Sequence, residues 1–111
     1  MINADVVREL IAAYRNTDRD KAESLVGPEL TFTSPQDDHI DRDAYFEKCF
    51  PTADRFTRME LLAVVASGTD DVFILYEYEL TSGEVYRNTE VVTVRDRQVR
   101  EIQVFFGGRF G

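Results

Sequence analysis

Few side chains in this sequence combine the type and the setting that chemistry needs. Glu90 interrupts the β-rich run Asn88-Thr89-Glu90-Val91-Val92-Thr93-Val94, on the side that continues with Val92 and Val94. A carboxylate on an inward strand face must be paired, hydrogen-bonded or neutralised, and desolvation raises its pKa. Glu90 would then be a usable acid at neutral pH; a structural carboxylate bonded to Arg87, Asn88 or a backbone amide is the alternative. Asp37, Asp38 and His39 form the one place where imidazole and carboxylate adjoin, with His39 the sole histidine. On a loop opening beside Phe46, His39 could act as a base oriented by Asp38. A solvated acidic loop ahead of a helix N-terminus is the other reading.

Other chemistries find no support. The single cysteine, Cys49, cannot form an internal disulfide, and its neighbours Phe46 and Phe50 make it a small buried hydrophobe. A calcium loop counted from Asp37 would need glycine and glutamate where Arg42 and Lys48 stand. One histidine and one cysteine make a poor zinc set, and no glycine-rich phosphate loop or nucleophile-elbow serine is present. No metal and no cofactor are expected. The formal charge of −8 disfavours nucleic acid and anionic membrane surfaces. Residues 1–5 lack the pattern of a signal peptide, so a cytoplasmic protein is expected.

The elements that must position these groups follow from periodicity. The chain has 111 residues, 43% of them hydrophobic, including eight Phe and five Tyr, which fits one domain over 1–111 with a core that could line a cavity or fill it. Val7, Leu10, Ile11 and Tyr14 recur at helical spacing behind Asn3 as N-cap, which turns Tyr14 toward the core. Asn16-Thr17-Asp18 breaks that helix and caps a second one, expected to stop at Gly27-Pro28. Leu30-Thr31-Phe32-Thr33 alternates as a strand with Phe32 inward and ends at Ser34-Pro35. Asp41 caps a third helix, closed by Pro51.

Beyond it, 58–66, 72–80, 85–94 and 99–106 read as an antiparallel meander, with Gly107-Gly108 as a chain end. In the second of these runs Ile74, Tyr76 and Tyr78 share the inward face, while Glu77 and Glu79 mark the outer one. Two inward phenols need hydrogen-bond partners, which a polar ligand or water could supply. Phe73 and Leu75 would leave an apolar outer patch suited to a homodimer. In 58–66 both parities are apolar, so the inward face stays open.

This order of helix, helix, strand, Ser-Pro loop, helix and meander, closing with Ile102-Gln103-Val104-Phe105-Phe106-Gly107, resembles the nuclear transport factor 2-like (NTF2-like) superfamily, and within it the SnoaL-like and ketosteroid-isomerase-like small proteins. The resemblance implies an α+β, cone-like barrel: three helices in the N-terminal half packed on a strongly bent, mostly antiparallel sheet around an apolar cavity. It sets Tyr14 where that family keeps an oxyanion-binding tyrosine and Glu90 near its second, protonated carboxylic acid. Ser34 holds the place of the family's general base. The function it implies is binding of a small hydrophobic or amphipathic molecule. If the protein is an enzyme, it would be a cofactor-independent isomerase, cyclase or hydratase acting by proton transfer. Tyr14, Asp38, His39 and Glu90 are then the catalytic candidates, and Phe32, Ser34, Asp37, Phe46, Tyr76, Tyr78, Asn88 and Phe106 the ligand contacts. A non-catalytic ligand-binding or dimerisation module is the alternative.

Overall fold

The computed structural model describes residues 2–110. Helices α1 (Asn3–Arg15) and α2 (Arg19–Leu25) lead into strand β1 (Val26–Thr33), followed by α3 (Arg42–Lys48) and a 3-10 helix, Phe50–Arg55. Strands β2 (Phe56–Ser67), β3 (Asp71–Leu80), β4 (Val85–Arg95) and β5 (Gln98–Arg109) form the meander. The sheet order is β1-β5-β4-β3-β2, with β1 parallel to β5 and the other pairs antiparallel. The fold is α+β, three helices on a curved, unclosed, mixed sheet, as the sequence predicts.

Local signals act as expected at two helix starts. Asp18 accepts from the Lys21 amide at 3.2 Å and Asp41 from the Ala44 amide at 2.9 Å, each satisfying a free donor of the first turn. Three expectations are corrected. Asn3 lies inside α1, where Ile2 is the N-cap, and its side-chain amide donates instead to the carbonyls of Thr69 and Val94, tying the helix to the sheet. Gly27-Pro28 falls within β1, because α2 already stops at Leu25; Pro28 is tolerated on this edge strand where the β1–β5 register is interrupted between Val26 and Thr31. Gly107-Gly108 continues β5 rather than ending it. A Cβ at Gly107 would lie 2.4 Å from the Arg87 carbonyl oxygen, so only glycine permits the close approach at the register shift opposite Arg87.

Two bulges explain why β2 is apolar on both parities. Register shifts fall between Phe56 and Arg58 and between Leu61 and Ala63, each with one extra residue on β2. Each insertion flips the parity of the residues after it, so Phe56, then Met59 and Leu61, then Val64 pack against the core. Bulges also bend the strand, giving the sheet the curvature that leaves room beneath it. On the inner face of β3, Ile74, Tyr76 and Tyr78 are buried. On the outer face Glu77 is held between Arg58 and Arg87, both at 3.0 Å, and Arg87 lies beneath the Phe110 ring. Val65, Phe73 and Phe105 are exposed there.

Candidate functional site

Between the helices and the inner sheet face lies a cavity of about 590 Å³. Its walls come from α1 (Leu10, Ile11, Tyr14), the segment after β1, the α3 face and the inward residues of β2 to β5. From α3 through the 3-10 helix to the start of β2, Tyr45, Lys48, Cys49, Thr52, Arg55 and Phe56 all line the cavity. Tyr45, Lys48, Cys49 and Thr52 follow i, i+3, i+4, i+7 along one face.

The deep polar end is a one-way chain of hydrogen bonds. Tyr78 donates its hydroxyl to Asn88 Oδ1 at 3.2 Å, Asn88 Nδ2 donates to the Tyr76 hydroxyl at 3.3 Å, and Tyr76 donates to Glu90 Oε2 at 2.7 Å. β4 and β3 place these groups side by side, because Tyr76 pairs with Asn88 and Ile74 with Glu90. Burial pushes the Glu90 carboxyl up to about 7, against the Tyr76 hydrogen bond that pulls it down. Glu90 keeps partial accessible surface only because the cavity reaches it, so its surroundings are those of a buried group. Since Oε2 already accepts, the proton of the neutral form belongs on Oε1.

Two tyrosines from the helices approach this end with their protons differently committed. Tyr14 and Thr52 share a 2.6 Å hydrogen bond, and the Thr52 hydroxyl donates to the Cys49 carbonyl at 2.7 Å. A hydroxyl has one proton, so Tyr14 must be the donor to Thr52 and offers lone pairs to the cavity. Burial raises its phenol to about 12. Tyr45 is 6% exposed and lines the cavity, and its hydroxyl has no hydrogen-bond partner among the described residues. Burial, and then the Glu90 charge, hold its phenol well above the ordinary tyrosine range. Tyr45 is therefore a free donor lining the same cavity as Glu90, at a position where a tyrosine on an amphipathic helix reads as core. Its i, i+4 spacing from Cys49 was the available signal.

The other expected residues divide cleanly. Phe32, Ser34, Asp37, Tyr76, Tyr78, Asn88 and Phe106 line the cavity with Tyr14 and Glu90. Asp38, His39 and Phe46 do not line it. The backbone hydrogen bonds joining Phe32 and Ile40, both at 2.9 Å, close residues 33–39 into a tight loop. Ser34 takes the amides of Gln36 and Asp37 onto its hydroxyl, and His39 adopts a positive φ of 50°. That turn aims Asp37 inward and leaves Asp38 and His39 paired to each other in solvent, their side chains 91% and 67% exposed. Phe46 points away from the cavity into the core beside Tyr45 and Phe50, buried beneath the guanidinium groups of Arg19 and Arg42. Cys49 donates weakly to Asp37 at 3.7 Å, and burial raises its thiol to about 12, so it stays protonated. Among the described residues no three His, Cys, Asp or Glu side chains are grouped to hold a metal ion, and no helix is long and apolar enough to cross a membrane.

No family model matches the chain, and no curated protein matches it. Solved structures do. An NTF2-like protein of unknown function from Cytophaga hutchinsonii superimposes with a TM-score of 0.80 at 18% identity, over 96% of this chain and 91% of that one. A protein provisionally assigned as a ketosteroid isomerase, from Kribbella flavida, gives 0.77 at 13% identity over 96% and 78%. One provisionally assigned as a polyketide cyclase, from Sinorhizobium meliloti, gives 0.78 at 16% identity over 90% and 93%. At such identities the likeness is one of fold.

Proposed function

We propose that this chain, built on the NTF2-like fold, binds one small and largely apolar molecule in its cone, with the molecule's polar end against Glu90 and Tyr45. The observation that carries this reading is the cavity of about 590 Å³, which falls within the usual size of ligand sites and is lined by a carboxyl raised to about 7 and by a phenol with no hydrogen-bond partner among the described residues. An apolar wall with a few convergent polar groups suits a molecule that offers one hydrogen-bond acceptor, such as a carbonyl oxygen.

Proton transfer at carbon is the reaction this end could support. A carboxyl with a pKa near neutrality can give and take a proton at working pH, so Glu90 would move it while the Tyr45 hydroxyl stabilises charge on the carbonyl oxygen. Tyr14 could join only if the Thr52 hydroxyl turned away. The non-catalytic alternative draws on that committed Tyr14 proton, on Ser34, and on the exposed Asp38 and His39. A thermal-shift screen of small apolar carbonyl compounds tests the common premise. Compounds should raise the melting temperature of the native protein and leave Val104→Trp, which fills the cavity wall, unmoved. Equal shifts in both would place binding outside the cone and end this reading.

We further propose that a second copy covers the outer sheet face. Support comes from Val65, Phe73 and Phe105, which stand 57%, 42% and 53% exposed on paired or neighbouring strands.

A further inference from the structure

The cavity's opening carries a charge pattern opposite to that of the whole chain. Most cations of this acidic protein are spent in ion pairs, among them Arg42 with Glu23, Arg58 and Arg87 with Glu77, and Arg95 with Asp70. Lys48 and Arg55 have no ion-pair partner among the described residues, and both line the cavity while standing exposed. Both reach solvent as well as the cavity lining, which places them where the cavity opens, one at the end of α3 and the other at the end of the 3-10 helix. Apart from Glu90 at the deep polar end, Asp37 is the acidic side chain among the described residues that line the cavity, and it is already engaged by the Ser34 hydroxyl and the Cys49 thiol. A protein with a net charge of −8 thus leaves two unneutralised cations at the entrance to its apolar cavity. Charge of that sign at the entrance attracts anions and repels the cationic molecules that the rest of the surface would gather.

We infer that the ligand is an amphipathic anion: an apolar body inside the cone, and a carboxylate, sulfonate or phosphate-type head at the opening between Lys48 and Arg55. This rests on the binding reading above and adds the chemistry of the ligand's outer end. It also sets orientation, because the apolar part and any neutral acceptor must then point inward to Tyr45 and Glu90. A wholly neutral molecule of the same shape would leave both cations without a counter-charge.

Two fluorescent probes with one shared skeleton separate the claims. 8-Anilinonaphthalene-1-sulfonate carries the anionic head, and N-phenyl-1-naphthylamine lacks it. The native protein should bind the sulfonate about tenfold more tightly than the neutral probe, a gain in keeping with two solvent-facing charge contacts. The preference should shrink in about 0.5 M salt, where screening is strong. In the double variant Lys48→Gln/Arg55→Gln the sulfonate should lose its advantage, so that the two probes bind alike. Equal binding of both probes to the native protein would overturn the anion inference while sparing the binding cavity. A sulfonate preference that survives the double variant would also overturn it, placing the probe elsewhere, such as the apolar outer face. If neither probe bound, the cavity reading itself would be overturned.

Discussion

Glu90 shows how a single position can be read from sequence and its neighbour cannot. A lone acid at the inward parity of a valine-rich strand breaks an alternation, and that break survives into three dimensions as a buried carboxyl with a pKa raised to about 7. Tyr45 breaks nothing, since a tyrosine on an amphipathic helix reads as core; only the missing partner for its hydroxyl distinguishes it. Asp37, Asp38 and His39 are adjacent in sequence, yet one turn sends them to opposite sides, a result that depends on the Ser34 hydroxyl and the Phe32–Ile40 pair. Glu90 also makes stability depend on pH. Its folded pKa lies above the ordinary value of 4.5, so the folded state holds more protons than the unfolded one between about 4.5 and 7. Stability is therefore lost as pH rises through that window, by about 3 kcal/mol in all. Glu90→Gln keeps an acceptor for Tyr76 and removes the titration. Urea denaturation at acid and at mildly alkaline pH should show the variant gaining on the native protein by that amount as pH rises, and parallel pH profiles would refute a neutral buried carboxyl. On a confirmed substrate the same variant should lose turnover and keep binding.

At the level of elements, periodicity located every α-helix and strand, and the errors lie where local chemistry yields to pairing. Gly27-Pro28 and Gly107-Gly108 look like stops, and both are absorbed into strands because a neighbouring ladder continues past them. The parity of β2 could not be chosen because no single choice exists: its two bulges use both apolar sets in turn. The second bulge leaves little trace in composition, since its extra residue, Leu62, is as apolar as its neighbours. Gly107 provides the clearest test of this level. Gly107→Ala would drive a methyl group against the Arg87 carbonyl at 2.4 Å, and relief requires moving backbone. A loss of about 2 kcal/mol in denaturant unfolding is expected. Gly83→Ala serves as a contrast, because nothing lies within 4 Å of its added carbon and only its positive φ is strained.

For the molecule as a whole, the order of elements was legible because each carries its own period, whereas the cavity was not, because space is what the side chains leave over. An aromatic-rich sequence permits either a filled cone or an open one, and the bends of the sheet decide between them. The outer face gives a prediction at this scale. Phe73→Glu, which puts a charge on an exposed apolar surface, should convert a dimer in sedimentation velocity to a monomer without unfolding it; a native protein that is already monomeric would remove the proposed contact. The bulges of β2 also govern behaviour in crowded solution. β2 is an open edge of the sheet, and its twelve residues would otherwise present a long row of free backbone donors and acceptors to any passing strand. Two interruptions divide that row into shorter, bent segments. The irregularity that hollows the cone thus also makes this edge a poorer template for strand-by-strand growth.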